Sequence, residues 1–257
     1  MSRPLPVPVP VIVPLLWPLL WLAGGCGSAA PPASPFGASN LALSFDGISQ
    51  YATAGNGGFP AASAVQTVEM WVNFPAPSAT TTADFLVMRL DLSNGVQIGI
   101  HAGALAVWRT YVDRVLAQAP TLPSANAWHH VAYSYDLKVN TLYVDGAIAD
   151  AEMTATDERT PTSVWLGTFD GTGELFAGAL DEIRVWAVVR SPTEIQADMS
   201  HSAPGPADGL VAYWTFDDGG SVGRALDASG SGNDVTLGDG IAANMPARIP
   251  ADEPDGQ

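Results

Sequence analysis

Few residues in this chain have chemical reach. His129 and His130 are adjacent, and carboxylates are paired at Asp157-Glu158, Asp181-Glu182 and Asp217-Asp218. Two imidazoles could divide general acid–base work, and two carboxyls could cleave a glycosidic bond, if each pair addressed one site. Retaining glycoside hydrolysis needs its carboxyls roughly 5–5.5 Å apart. Neighbouring side chains on an extended strand point to opposite faces, so no pair converges if extended. The two histidines therefore read as structural. The chain contains neither a Gly-x-Ser-x-Gly elbow nor a His-Glu-x-x-His metal helix. The expectation is a protein that is not an enzyme, with no catalytic residues.

Cys26 is the only cysteine, which rules out an internal disulfide. It follows a positive start at Arg3, an apolar stretch from Leu5 to Ala23 and the small residues Gly24-Gly25. Residues 1–25 read as an export signal. Leu22-Ala23-Gly24-Gly25-Cys26 resembles the bacterial lipobox, which implies acylation of Cys26 as the mature N-terminus. The leucine stands one place upstream of the usual position, and six prolines interrupt the leader. An ordinary cleaved signal and a retained membrane anchor are the rival readings. Gly27-Ser28 lacks the aspartate that marks inner-membrane retention in such lipoproteins, so the resemblance places the protein at the outer membrane or cell surface. Residues 26–38, rich in Ala, Pro, Ser and Gly, read as a flexible tether.

The rest must be positioned by strands. In Gln66–Phe74, Val68, Met70, Val72 and Phe74 alternate with Thr67, Glu69, Trp71 and Asn73, the period of a half-buried strand. Similar runs occur at Leu41–Phe45, Phe85–Met88, Val96–Ile100, Leu105–Arg109, His130–Tyr135, Thr141–Val144, Val164–Thr168, Ala179–Trp186 and Leu210–Phe216. Turn formers such as Ser93-Asn94-Gly95, Asp145-Gly146 and Asp170-Gly171 separate them. One helix is expected at Ser191–Met199, with Ser191 as cap, Pro192 at the first position and Glu194 closing a capping box. These elements predict an all-β sandwich or barrel over residues 39–245, followed by a frayed tail at 246–257. The net charge of −16, with Lys138 the only lysine, excludes a nucleic-acid partner. That acidity suits solubility or a calcium-bearing exterior.

Several strings, in order, resemble the LamG-like jelly-roll domains of the concanavalin A-like lectin/glucanase group. They are Phe45-Asp46-Gly47 with Tyr51, Val68–Val72, Trp128-His129-His130-Val131-Ala132, Leu142-Tyr143-Val144-Asp145-Gly146, Gly178–Trp186, Gly209–Asp217 and Asp227–Asp234. The resemblance covers about 200 residues. It implies a two-sheet antiparallel jelly-roll sandwich with one short helix. Laminarinase-type relatives use Glu-x-Asp-x-Glu, which this chain lacks. In some jelly-roll relatives an Asp opening a late strand holds calcium with oxygens near the first strand. Asp181 and Asp46 match those two places, so a structural calcium is expected there. By simple alternation Asp181 shares the core parity of Ile183 and Val185, while Glu182 and Arg184 face away and could pair. Asp227 and Asp234 read as turn formers.

A sugar-binding face would need aromatic rings beside polar groups. Trp71 with Glu69, and Trp186 with Arg184, occupy non-core faces, where they either bind a ligand or lie buried under the helix or the Leu210–Phe216 strand. Trp108, Tyr111 and Trp165 belong nearer loops. The ligand-binding residues are not legible. The functional expectation is a surface lipoprotein carrying a binding or adhesion module for glycans or a protein partner. The alternatives are a structural domain without a small ligand and a diverged glycoside hydrolase.

Overall fold

A computed structural model describes residues 40–55, 58–60, 64–90, 95–110, 113–153, 161–200, 206–218 and 223–252. Cys26 with its leader and tether, Tyr111 and the Asp157-Glu158 pair lie outside the described residues.

The first strands are β1 (Leu41–Asp46), β2 (Ala52–Ala54), β3 (Gln66–Asn73), β4 (Ala83–Arg89), β5 (Gly95–His101) and β6 (Ala104–Arg109). Next come β7 (Arg114–Gln118), β8 (Trp128–Tyr135), β9 (Val139–Val144), β10 (Ala147–Met153), β11 (Ser163–Leu166) and β12 (Ala177–Trp186). The helix α1 (Pro192–Asp198) precedes β13 (Leu210–Trp214), β14 (Arg224–Ala225), β15 (Val235–Leu237) and β16 (Ala247–Pro250).

They form two antiparallel sheets of eight strands each. One, sheet A, runs β10-β9-β8-β3-β12-β1-β16, with β13 also paired to β12. The other, sheet B, runs β14-β15-β2-β11-β4-β5-β6-β7. The core lies between them, as the alternation requires. Val68, Met70, Val72 and Phe74 enter it with Val131, Tyr133, Tyr135 and Leu142 from sheet A and Phe85, Leu86, Ile98 and Val107 from sheet B. Each fully buried side chain of this size contributes about 1.5–3 kcal/mol relative to exposure. The Phe85 ring stands 4.9 Å from Phe176 and 5.8 Å from Phe74, tying the sheets at the centre.

Two of the register shifts redirect a carboxylate. In β12, Glu182 takes φ 49, and the pairing with β3 shifts between Asp181 and Arg184. Leu180 then stands opposite Val72, and Asp181 opposite Trp71. Leu180, Ile183 and Val185 remain in the core, whereas Asp181 moves to the outer face with Arg184, the reverse of the expected parity. In β4 the shift falls between Asp84 and Leu86, so Phe85 and Leu86 both enter the core and Asp84 turns outward to Gln97.

The helix forms as its capping residues foretell. Ser191 accepts from the Glu194 amide, and the Glu194 side chain accepts from the Ser191 amide. The segment expected to be a frayed tail differs: Ala247–Pro250 pairs with β1 as an edge strand. An edge position tolerates Pro250, which has no N–H to donate.

Candidate functional site

The outer face of sheet A divides into a closed half and an open half. In the closed half, α1 lies over the sheet. Ile195 packs on Ala132 and Tyr143, the Gln196 amide donates to the Gly146 carbonyl at 3.1 Å, and the Trp71 indole N–H donates to the Met199 carbonyl at 3.3 Å. Beneath lies a buried polar layer. The Arg184 guanidinium donates to Glu182 at 2.5 Å and to the Tyr213 hydroxyl at 3.2 Å, and sits 4.6 Å from the Tyr213 ring centre. The Glu69 carboxyl lies 3.8 Å from His130 Nε2, and the Trp71 and His130 rings meet edge-on at 5.5 Å. Burial, helped by the Asp198 charge and opposed by Arg184 and Arg190, pushes Glu69 up to about 8. Burial and the nearby Arg184 charge push His130 down to about 3. Trp186 lies under the Arg190 guanidinium at 4.2 Å. Thus Trp71 and Trp186 are covered, and Glu69, Asp181 and Glu182, though on one face, have no exposed surface.

The structure does not bring Asp46 and Asp181 together. Asp46 pairs in register with Ala177, four residues before Asp181, or about 13 Å along the strand. Asp46 is exposed and accepts the backbone amides of Ile48, Ser49 and Gln50 at 2.8, 2.9 and 3.1 Å. Slight burial acts to raise its pKa, but the Ser49, Ile48 and Gln50 amides outweigh it and hold the carboxyl below its ordinary range. Asp181 Oδ1 accepts the Glu182 amide at 2.8 Å. Asp227 behaves as a turn former, taking the amides of Tyr213, Ser229 and Asn233 at 3.0, 2.9 and 2.9 Å.

His129 and His130 diverge, as strand geometry requires. Asp145, in the β9–β10 turn with φ 50, accepts the His130 amide at 3.0 Å and meets His129 Nδ1 at 2.8 Å. This contact joins the Trp-His-His and Asp-Gly strings. His129 Nε2 lies 2.9 Å from Ser124 Oγ and 3.1 Å from the Ser124 carbonyl. Serine, imidazole and carboxylate stand in nucleophile–base–acid order. A carbonyl only accepts, however, so the ring donates to it. A nitrogen that donates there cannot also take the serine's proton. The arrangement tethers the loop before β8 to the β9–β10 turn.

The open half of the face is a groove of about 370 Å³, within the usual range of roughly 300–1,000 Å³ for ligand pockets. Its floor follows the cross-strand row Trp128–Asn73–Ala179–Ser44 over β8, β3, β12 and β1, a register that continues to Ala247 on β16, the strand that lines the groove through Ile249 and Pro250. Four strand spacings give the row a length of about 19 Å. Trp128 walls one end, and Ile249, Pro250 and Asp252 the other. Ala179 and Ser44 keep the floor low. Gly178 is obligatory beneath it, since a Cβ there would come within 2.3 Å of the Asn73 carbonyl and 2.4 Å of the Phe176 ring. Among the described residues, the side chains of Ser44, Asn73, Asn126 and Asp252 lie along the groove without an intramolecular hydrogen bond. An aromatic wall beside such polar groups can hold a ring whose C–H face stacks and whose hydroxyls bond. Trp128 was visible only as part of a strand motif. Its role depends on register with residues far away in sequence.

The aromatics of sheet B are already engaged. Trp165 stacks on Tyr51 at 5.5 Å and lies 5.0 Å from the Arg89 guanidinium. Trp108 is buried against His101 at 4.8 Å. No helix among the described residues is long and apolar enough to cross a membrane.

A laminin G-type family model, described as the concanavalin A-like lectin/glucanases superfamily, matches residues 46–196. No curated protein matches the chain. Among solved structures, a candidate carbohydrate-binding protein from Bacteroides ovatus aligns at 21% identity and TM-score 0.62, over 84% of this chain and 61% of that one. This chain therefore spans less than two thirds of that protein. The heptameric SAP-like pentraxin of Limulus polyphemus aligns at 14% identity and TM-score 0.50, over 77% and 94% of the two chains. Domain 4 of a GH43 extracellular arabinanase from Geobacillus stearothermophilus, in complex with arabinotriose, aligns at 18% identity and TM-score 0.49, over 61% and 75%. At these identities the likeness is one of fold. The Bacteroides ovatus protein is named for carbohydrate binding, while the superfamily's name also covers glucanases.

Proposed function

The chain belongs to the concanavalin A-like lectin/glucanases superfamily, and from that premise we propose that it is a carbohydrate-binding module, held at the cell surface by a lipid on Cys26. One observation carries the proposal: the groove across sheet A pairs the half-buried Trp128 with uncommitted polar side chains at Ser44, Asn73, Asn126 and Asp252. The assigned role of the Bacteroides ovatus protein agrees with it. The groove's length of about 19 Å suits an oligosaccharide rather than one sugar. Its openness along a sheet surface suits binding to a chain, because catalysis by carboxyl pairs requires two that face each other across a substrate. The carboxylates on the closed half lie under α1, out of a substrate's reach.

A glycan array of the protein, followed by titration of the best oligosaccharide, tests the proposal. Trp128→Ala should weaken binding at least about 30-fold, the loss expected of a central aromatic anchor, with no change in fold by circular dichroism. A wild type that retains no glycan, or a Trp128→Ala variant that binds as well as wild type, would reject the groove as the site.

A further inference from the structure

The groove across sheet A carries a sign. Among the described residues that line it, the one ionisable side chain is Asp252. Its neighbour fixes its place. The Ala251 amide donates to the Asn40 carbonyl at 3.0 Å, and the Asn40 side-chain amide donates back to the Ala251 carbonyl at 3.0 Å. Ala251 is buried with Ala42 and Ala179, and Trp128 and Ile249 pack on the same three alanines. The aromatic wall and the carboxylate therefore share one foundation. A second carboxylate stands beside the floor. Leu43 and Phe45 face the core, so Asp46 shares the outer face of β1 with Ser44, about 7 Å along the strand, and is exposed.

The cations of this sheet are committed elsewhere. Its strands carry four groups able to be positive, His129, His130, Arg184 and Arg248. His129 turns to Asp145 and Ser124. His130 and Arg184 are fully buried in the closed half, where Arg184 is bound to Glu182. Arg248 donates to the Phe216 carbonyl at 3.0 Å, to Asp218 at 2.7 Å and to the Arg224 carbonyl at 2.8 Å. The net charge of −16 adds a negative background to the local one.

This lining sets a rule for what it holds. The Ser44 hydroxyl and the Asn73 and Asn126 amides both donate and accept, whereas a carboxylate only accepts. A sugar hydroxyl offers Asp252 a proton to accept. A uronate or a sulfate ester offers none, brings like charge, and loses water without a cation to replace it. The effect is strongest near Ile249 and Pro250, since the Debye length at physiological salt is about 8 Å against a row of about 19 Å.

We propose that the groove selects uncharged oligosaccharides, and that Asp252 is the residue that excludes acidic ones. The inference rests on the glycan reading of the groove and names the class of sugar: chains whose outward groups are hydroxyls, as opposed to uronic acids or sulfated glycans.

An array of neutral hexo- and pento-oligosaccharides tests it, each beside its sulfated counterpart and, for the hexoses, its uronate counterpart. The best-bound neutral member and its counterparts are then titrated. In low salt each anionic counterpart should bind at least about tenfold more weakly than the neutral member. The gap should narrow at about 0.5 M NaCl, where charges at a surface are screened. Asp252→Asn should weaken the neutral member about threefold, as a charge-assisted hydrogen bond becomes a neutral one. The same variant should strengthen the anionic counterparts, so that the gap closes to about twofold or less. Anionic counterparts that bind as tightly as the neutral member, while Trp128→Ala abolishes all binding, would leave the groove as the glycan site and overturn its selectivity. An Asp252→Asn variant that keeps the full gap would overturn the role of Asp252. A protein that retains none of the sugars, neutral or acidic, rejects the groove as the site and this inference with it.

Discussion

Asp181 stands directly across from Trp71, on the outer face of sheet A, and not beside Ile183 in the core. A single bulge residue, Glu182, produces this reversal. It collects Asp181, Glu182 and Arg184 on one face, where α1 and β13 enclose a buried ionic layer.

Glu182→Gln should destabilise the protein by about 3 kcal/mol, because the buried Arg184 guanidinium loses the charge that balances it at 2.5 Å. The double variant Glu182→Gln, Arg184→Met should recover much of that loss, since the guanidinium charge is then removed together with its partner. Urea unfolding of the wild type, the single variant and the double variant checks both statements.

Stability should peak between mildly acidic and neutral pH. Native His130, near 3, stays neutral where an unfolded histidine takes a proton below about 6.5, so its contribution rises between those values. Native Glu69, near 8, keeps a proton that an unfolded glutamate releases above about 4.5, so its contribution falls between those values. The two cancel from about pH 4.5 to 6.5, and stability declines above it by at most about 1.4 kcal/mol per pH unit. Glu69→Gln should remove the decline. A pH series of urea midpoints for wild type and variant shows whether the difference between them opens from about pH 4.5 towards pH 8.

Gly178→Ala should cost more than about 2 kcal/mol and also impair glycan binding. The added Cβ meets the Asn73 backbone, which carries the groove floor. Ala179→Gly, one residue away and without a clash, should cost about 1 kcal/mol or less. Thermal melts and titration of the same oligosaccharide separate the two.

Cys26→Ser should release the protein from membranes or stall its processing, because acyl chains contribute roughly 0.8 kcal/mol per buried CH₂. Detergent-phase partitioning measures this. Unchanged partitioning of the variant would remove the lipid anchor from the proposed function.

Much of the fold was legible in the residues themselves. The alternation in Gln66–Phe74 assigned Val68, Met70, Val72 and Phe74 to the core, and the structure places all four there. Ser191, Pro192 and Glu194 located α1, because a capping box is built within four consecutive residues. Asp145-Gly146 marked its turn for the same local reason. These are short-range effects, determined by side chains a few positions apart.

The tertiary structure decided the rest. A bulge adds one residue to one strand only, so a period of two in the sequence cannot reveal it. Asp84 and Asp181 both changed faces for that reason. The burial of Trp71 and Trp186 depended on where α1 docks. The groove depended on register among five strands, from Trp128 on β8 to Ala247 on β16. By itself the sequence determined which residues make strands and which face most of them show the core. Which outer face stays open, and which polar groups meet there, followed from strand order, because the strands that meet under the groove, such as β3 with β12 and β1 with β16, are distant along the chain.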